Sequence, residues 1–320
     1  MRPLRRAFTM IELLFVIVIL GIVGGIALET IRQYYEGIYR TQTYTQRINE
    51  ADHILDQLTK YFENAIDLSI VNMDMDAADN ALAGVCAGEL APEAENVAHD
   101  YTTVFVAVDT DSLRTTGRPG WSETVRPNPF LGTSLISNDA NFTAADTTIT
   151  ALYPTSDLQN SAIYNVDASY TDTCTHYYAL NGNAYYTIPV GGVNTATNTL
   201  TLTDNYVSHG FAYTSGPSAD KKYLLRSGYA FRVLNTGEFV MYSNFRPWKG
   251  EVYSNANAKR STLGRDVASF YADFNNTNYY NTRGTLWRLK VCMRGLDSNL
   301  SSSDVATQEI CRERKVHVRY

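Results

Sequence analysis

The chain has 320 residues and a formal net charge of −6, with 23 tyrosines, five histidines and four cysteines. This mild acidity does not favour a protein whose main partner is nucleic acid. Scattered histidines, cysteines without C-x-x-C spacing, and the absence of nucleotide-binding or hydrolase motifs predict no enzyme, no cofactor and no metal site.

A basic leader precedes an apolar run at the N-terminus. Three arginines lie within residues 2–6, residues 7–12 are AFTMIE, and Glu12 is the one charged residue from Phe8 to Leu28. The run has about the ~20 residues that an α-helix needs to cross a bilayer core. A carboxylate at mid-depth costs roughly 2.5–3.5 kcal/mol, so Glu12 requires a partner and a reason.

Two ordinary explanations of this segment fit less well. A secretory signal peptide would have a shorter apolar region followed by an A-x-A cleavage site, and no such site follows here. A plain membrane anchor explains the length and the cytoplasmic arginines. It does not explain the spacing of Phe8, Thr9 and Glu12.

The leader, the Ala-Phe-Thr-x-x-Glu sequence and the apolar run closely resemble the class III signal of type IV pilins and type II secretion pseudopilins. The resemblance implies that a prepilin peptidase cleaves between Ala7 and Phe8 and N-methylates Phe8. It also implies that Glu12 neutralises the terminal amine of a neighbouring subunit and sets the register of assembly. Ala7 replaces the usual glycine, and Glu29 stands where many major pilins have a helix-bending proline.

One long helix is predicted from Phe8 to Ile66, because no proline interrupts this stretch. It would be about 90 Å long at 1.5 Å per residue. Residues 1–7 are the predicted leader, 8–28 the transmembrane part and 29–69 an amphipathic stem. Apolar residues at steps of three and four predict one face along the stem. They are Ile31, Tyr34, Tyr35, Ile38, Ile48, Ala51, Leu55, Leu58, Phe62, Ala65 and Ile66.

Four tyrosines follow the transmembrane segment, at positions 34, 35, 39 and 44. Interfacial lipid and neighbouring helices explain their position equally well.

Residues 70–320 are predicted to form a periplasmic or extracellular β domain, with a strand-rich insertion over about residues 134–205. Tyr101–Asp109 alternates as a strand does. Candidate strands in the insertion are Thr147–Tyr153, His176–Leu180, Ala184–Val190 and Thr199–Leu202. Candidate strands after it are Tyr223–Leu234, Glu238–Ser243, Val267–Phe274, Leu286–Met293 and Glu309–Tyr320. The latter five should form one antiparallel sheet against the helix, so the predicted fold class is α+β.

The order of the last strands is similar to minor pseudopilins of the J type and minor pilins of the W type. The similarity lies in an Asp-Val-x-x-Phe strand, a strand with a tryptophan and a charged terminal strand. A domain of about 250 residues is also large for a subunit that repeats thousands of times. Both features favour a minor subunit at the tip of a filament.

Disulfides are predicted because the domain lies outside the cytoplasm. Cys292–Cys311 is the favoured pair, since both residues lie in strand-like runs near the C-terminus. Cys86–Cys174 is the remaining pair, and free buried thiols are the alternative.

Two charged groups are candidate binding or catalytic sites. Asp109 and Asp111 have the chemistry for acid–base work, but turn capping by aspartate is far commoner. The basic residues of the last strand (Arg312, Arg314, Lys315, His317 and Arg319) have the charge to bind acidic partners or DNA phosphates. Glu309 and Glu313 interleave with them, so a solvated strand face is favoured.

The predicted function is therefore structural: a minor pilin or pseudopilin of a type IV pilus or a type II secretion pseudopilus. Its predicted partners are other pilin or pseudopilin subunits, prepilin peptidase, the inner-membrane assembly platform and the lipid bilayer. The resemblance implies a single pass of the bacterial inner membrane with the N-terminus cytoplasmic. The alternatives are a DNA-uptake or adhesive minor pilin and a membrane-anchored enzyme; the residues support neither DNA binding nor catalysis.

Overall fold

The computed structural model describes fifteen stretches of the chain. They are residues 10–66, 69–74, 84–86, 101–109, 126–127, 134–136, 142–152, 157–165, 187–194, 196–197, 199–203, 222–254, 258–273, 286–294 and 309–318.

A single long helix, α1, runs from Met10 to Phe62. Its two halves have different surroundings. Every residue from Met10 to Leu28 except Gly24 is exposed. Near the other end, Ala51, Leu58 and Phe62 are fully buried. The helix and the antiparallel sheets described below confirm the predicted α+β class.

Every strand pairing that the structure describes is antiparallel. The described strands are β1 (Val71–Asp74), β2 (Gly84–Cys86), β3 (Tyr101–Val108), β4 (Arg126–Pro127), β5 (Ser134–Ile136), β6 (Ala162–Asn165), β7 (Thr187–Asn194), β8 (Thr199–Leu202), β9 (Lys222–Val233), β10 (Phe239–Phe245), β11 (Lys259–Gly264), β12 (Val267–Asp273), β13 (Leu286–Met293) and β14 (Ile310–His317).

The main sheet is organised around β9. Its strand order is β2-β1-β3-β9-β6-β7-β8-β5-β4, with β10 also paired to β9 and β11 to β10. One edge of β9 pairs with β3. The other edge is shared, because its first residues pair with β6 and its last with β10. The strands of the predicted insertion therefore extend the same sheet that contains β9.

A second sheet has the order β12-β13-β14. This corrects the prediction that the five C-terminal strands form one sheet. The break falls between β11 and β12, where Asp266 has a φ of 55°. The backbone turns at this residue, and the Val267 amide donates to the Gly237 carbonyl instead of continuing the β11 pairing.

The larger hydrophobic core lies between α1 and both sheets. It joins Phe62 of α1 to Phe105 of β3 and Trp287 of β13. The ring centroids of Phe62 and Phe105 are 4.7 Å apart, with an edge-on geometry favoured by aromatic pairs. The C-terminal half of α1 is thus held by apolar packing.

A second, smaller core lies on the other face of the main sheet. Helix α2, Phe142–Leu152, buries its side chains there against Ile163 of β6 and Leu224 of β9. Their neighbours in the strands, Ala162 and Leu225, belong to the larger core. Side chains alternate between faces along a strand, so the two cores sandwich this part of the sheet.

Helix α2 corrects the predicted strand over Thr147–Tyr153. Phe142, Ala145 and Ile149 are fully buried at spacings of three and four, which one helical face requires. The hydroxyls of Thr147 and Thr148 donate to the carbonyls four residues earlier, so the β-branched residues are accommodated in the helix.

The other strand predictions have different outcomes. The strands over Tyr101–Asp109, Thr199–Leu202 and the five C-terminal segments are confirmed, and β13 has the predicted bounds. Ala184–Val190 corresponds in part to β7. His176–Leu180 lies outside the described residues, and the edges of the insertion stay a prediction.

Candidate functional site

The N-terminal half of α1 presents an uncovered apolar surface. Leu20 and Ile26 are each 64% exposed. By length and composition this part of the helix is able to cross a membrane. A contiguous apolar surface of this size requires either lipid or protein to cover it.

Glu12 lies in the first turn of α1 and is exposed within the protomer. The predicted cleavage residues, Ala7 and Phe8, lie outside the described residues. The assembly role of Glu12 and the processing of Phe8 therefore stay predictions.

An ion-pair ladder begins where the apolar run ends. Arg32 bridges Glu29 at 2.9 Å and Glu36 at 3.0 Å, and Gln33 donates to Glu29 at 3.1 Å. The hydrogen bonds from Arg32, followed by that from Gln33, lower the pKa of Glu29, while Glu29 raises the pKa of Arg32. This surface is polar and solvated, in contrast to the apolar run that precedes it.

Three tyrosines near the start of the stem are exposed. Tyr34, Tyr35 and Tyr39 are each 67% exposed, and Tyr34 and Tyr35 are in edge contact with their centroids 6.2 Å apart. The apolar residues of α1 consequently do not form the single predicted face. Ile31, Tyr34 and Tyr35 are exposed and Ile38 is half-buried, whereas those from Ala51 onward are buried in the domain.

Close apolar contact fixes the domain to the lower part of α1. A Cβ atom at Gly264 of β11 would press on Cδ1 of Ile54, so the end of that side chain would have to move to admit any other residue. Ile54 and Leu55 are both fully buried. The domain therefore packs on the helix over about three turns, from Ala51 to Phe62.

Three ion pairs lie around this apolar contact. Arg312 binds Asp52 through two hydrogen bonds of 3.1 Å, and Arg314 pairs with Asp56. Arg47 reaches Asp266 at 2.8 Å, in the turn between β11 and β12.

The two ion pairs between α1 and β14 fit because the aspartates on the helix and the arginines on the strand have similar spacings. Two aspartates four residues apart on a helix are separated by about 6 Å. Two arginines on one face of a strand, two residues apart, are separated by about 6.6 Å. Because Arg312 pairs with Asp52 and Arg314 with Asp56, β14 runs in the same direction as α1.

This arrangement changes the interpretation of the basic terminal strand. Arg312 and Arg314 face α1, together with the buried residues Val316 and Val318. Lys315 and His317 are exposed on the opposite face, as predicted, and Arg319 lies outside the described residues. Two of the five basic residues weighed for DNA binding are thus engaged within the protomer.

A disulfide joins the last two strands. Cys292 of β13 and Cys311 of β14 are directly opposite in the register and are bonded. This is the pairing that the sequence favoured. Cys174 lies outside the described residues, so its pairing with Cys86 stays a prediction.

Removal of this disulfide should destabilise the domain. The bond closes a loop with a sequence separation of 19, for which the chain-entropy relation gives about 3 kcal/mol. We expect the variant Cys292→Ala/Cys311→Ala to lose that much free energy of unfolding in denaturant titration of the detergent-solubilised chain.

The matched control is Arg288→Ala/Glu313→Ala, which removes an exposed ion pair between the same two strands, 4.0 Å apart. Its cost should be below about 1 kcal/mol. Equal losses in both double variants would show that the covalent link contributes nothing of its own.

Asp109 is a structural residue of the domain. Its side chain is fully buried at the end of β3 and pairs with Arg226 of β9 at 3.3 Å. Arg226 also donates to the hydroxyl of Tyr229, and burial raises the pKa of that phenol. Asp111, its proposed acid–base companion, lies outside the described residues. The pair ties β3 to β9 at the junction of the two cores.

Among the described residues, the potential metal ligands Cys292, Glu309 and Cys311 lie together. Both sulfur atoms are joined in the disulfide, so neither supplies a thiolate. The cluster is therefore a cross-strand link with a nearby acid.

The comparisons with known proteins bear on the N-terminal segment. No curated protein and no solved structure matches the chain. Residues 2–28 match the family described as the prokaryotic N-terminal methylation motif. That match contains Ala7, Phe8, Glu12 and the exposed apolar half of α1. The chain therefore carries the class III signal of the type IV pilin and pseudopilin family.

Proposed function

We propose that this chain is a minor pilin or pseudopilin, which α1 builds into a type IV pilus or a type II secretion pseudopilus. The observation that carries the proposal is the methylation motif on a helix whose first half is apolar and exposed. The last turns of the same helix, from Ala51 to Phe62, bury one side in the domain. One helix thus provides both a membrane anchor and a mount for the domain.

Glu12 sets the axial position at which a neighbouring subunit packs on this helix. After cleavage at Ala7, the new amine belongs to Phe8, which precedes Glu12 by four residues in the sequence, in a medium of low dielectric constant. A buried charge is stabilised by pairing with the opposite charge. A neighbouring subunit whose amine reaches Glu12 is therefore fixed at one axial position.

The proposed topology follows from charge and redox chemistry. The arginines in residues 2–6 favour the cytoplasmic side, which directs the domain to the periplasm. The Cys292–Cys311 disulfide is compatible with an oxidising compartment.

A position at the tip is supported by the breadth of the domain. Four strands, β7, β8, β5 and β4, continue the main sheet beyond β6. A second core on the far face of the sheet adds further thickness. At a filament end, only one side of such a domain has to accommodate the next subunit.

The test is the mass of the cell-derived protein and its location. We expect the first seven residues to be absent, Phe8 to carry one methyl group, and the chain to copurify with sheared filaments or the pseudopilus. A host lacking prepilin peptidase is the control, in which the leader should remain. Retention of the leader in cells with active peptidase would overturn the proposal.

A further inference from the structure

Two short 3₁₀ helices meet where the two hydrophobic cores of the domain adjoin. One, Leu158–Asn160, follows α2 and buries Leu158 in the smaller core. The other, Pro247–Lys249, follows β10 and buries Trp248 in the larger core. The indole of Trp248 donates to the backbone carbonyl of Asn160 at 3.1 Å, so the two helices are held against each other.

A lysine, an asparagine and an aspartate are in contact at this junction. The Nζ atom of Lys249 donates to Oδ1 of Asn160 at 2.5 Å. The Nδ2 atom of the same asparagine donates to Oδ1 of Asp157 at 2.5 Å. The carboxamide of Asn160 therefore lies between an amine and a carboxylate, and it contacts both directly.

These groups are the two reactants and the acid–base group of an amide exchange. We infer that an isopeptide bond forms between Nζ of Lys249 and Cγ of Asn160, with ammonia as the leaving group. The lone pair of the neutral amine attacks Cγ, the Cγ–Nδ2 bond breaks, and Nδ2 leaves with the proton that the amine gives up. One secondary amide and one ammonia are the products, so the reaction needs no oxidant and no other reactant.

The reacting atoms are close to each other. A carbonyl bond is about 1.23 Å long, so an Nζ atom 2.5 Å from Oδ1 of Asn160 is at most about 3.7 Å from Cγ. Reacting atoms in a near-attack geometry are about 3–3.5 Å apart. A small rotation of the flexible lysine side chain brings Nζ from the carbonyl oxygen to the carbon.

Both reacting side chains extend from elements that are fixed in place. The amide of Asn160 donates to Oδ1 of Asp157 at 2.7 Å, and the amide of Leu158 donates to Asp146 of α2 at 2.8 Å. On the lysine side, Gly250 ends the 3₁₀ helix with a φ of 74°. Reactants that are held in this way have already lost most of the freedom that a reaction between separate molecules would cost.

The surroundings of Lys249 favour the reactive, neutral form of its amine. Burial has the largest influence on the pKa of Lys249 and lowers it, although the residue as a whole is exposed. The charge of Arg246 lowers this pKa further, whereas Asp157 and Glu251 oppose the decrease. The net change is downward, so a larger fraction of the amine is uncharged than in a fully solvated lysine.

Asp157 is placed to carry the proton from the nucleophile to the leaving group. Its Oδ1 atom contacts Nδ2 of Asn160, the atom that must gain a proton before it can leave as ammonia. A carboxylate that takes the proton of the attacking amine and passes it to Nδ2 acts first as a base and then as an acid. Proton transfer of this kind contributes roughly 10²–10⁴-fold to a rate.

The bond links the two cores of the domain covalently. Lys249 and Asn160 are 89 residues apart in sequence, and their neighbours Trp248 and Leu158 belong to different cores. Tension on the strands beyond β6 is thus resisted by a covalent bond as well as by the pairing of β6 with β9. The inference goes beyond the proposed function and does not depend on it, because the chemistry takes place within one domain.

The test is mass spectrometry of the full chain, purified in detergent, incubated at mildly alkaline pH and digested with trypsin and chymotrypsin. We expect a branched peptide that contains both Asn160 and Lys249 and is lighter than its two parts by the mass of one ammonia. Lys249→Arg is the matched control, because a guanidinium keeps the charge and a donor for Asn160 but is too weak a nucleophile. Its two peptides should remain separate.

A second variant tests the role of Asp157. Asp157→Asn retains an oxygen that caps the 3₁₀ helix but cannot transfer the proton, so the bond should form roughly a hundredfold or more slowly. Formation at the wild-type rate in this variant would overturn the role of Asp157.

The inference itself fails if the two wild-type peptides stay separate after prolonged incubation, or if the branch joins other residues. None of these masses depends on removal of the leader or on incorporation into a filament. Failure of the isopeptide bond is therefore distinguishable from failure of the proposed function.

Discussion

The variant Glu12→Ala is expected to insert normally into the inner membrane and to fail in incorporation. Removal of the carboxylate removes a cost of roughly 2.5–3.5 kcal/mol at mid-depth, so insertion does not suffer. The partner amine of Phe8 then remains charged in the bilayer without its acid. Breaking a buried pair typically costs 3–5 kcal/mol, which corresponds to more than about a hundredfold loss.

The measurement is the ratio of chain in purified filaments to chain in the membrane fraction. Glu29→Ala is the matched control, because Glu29 is an acid of the same helix beyond the apolar run, paired with Arg32 in solvent. It should leave the ratio within a factor of two or so. If Glu12→Ala assembles as well as the wild type, residues other than Glu12 set the axial position of the subunit in the filament.

The variant Arg226→Met should be among the most destabilising single changes in the domain. It leaves Asp109 fully buried and deprives it of the guanidinium at 3.3 Å. The expected loss is about 3–5 kcal/mol of unfolding free energy. Denaturant titration of the solubilised chain provides the measurement, with circular dichroism confirming that the variant folds.

The double variant Arg226→Met/Asp109→Leu separates the two causes of this loss. If the penalty arises from an uncompensated charge, removing both charges should recover most of the stability. Arg260→Met is the control, since its pair with Glu238 at 2.6 Å also links neighbouring elements but is exposed. That change should cost about 0–1 kcal/mol. A similar loss in Arg226→Met and Arg260→Met would contradict the argument from burial.

Local patterns were sufficient to predict α1 and most of the strands. A long apolar run without proline specifies a helix irrespective of what packs on it, and the alternating residues of Leu286–Met293 specify a half-buried strand.

The errors arose where tertiary contacts decide between local alternatives. The threonines of residues 147 and 148 favour a strand by propensity, but burial of Phe142, Ala145 and Ile149 selects the helix. The three-four spacing of these residues was the available signal. The division into two sheets depends on a turn at Asp266, and nothing in the local pattern indicates that the chain leaves the first sheet there.

The candidate site was predictable in its chemistry but not in its packing. The motif around Phe8 and Glu12 is contiguous in sequence, so a resemblance identifies it directly. The pairs of Arg312 with Asp52 and Arg314 with Asp56 join distant segments. Spacings of four on a helix and two on a strand are common in sequences. They do not show which turn of α1 contacts β14, because the packing of the domain on the helix decides it.

The contact between α1 and β14 also constrains the order of events during biogenesis. Arg312 and Asp52 are 260 residues apart in sequence. The ribosome therefore completes α1 long before it has synthesised the strand that packs on it. Contacts of such long range form slowly. The newly made chain therefore passes through a period in which the domain does not yet cover the last turns of α1.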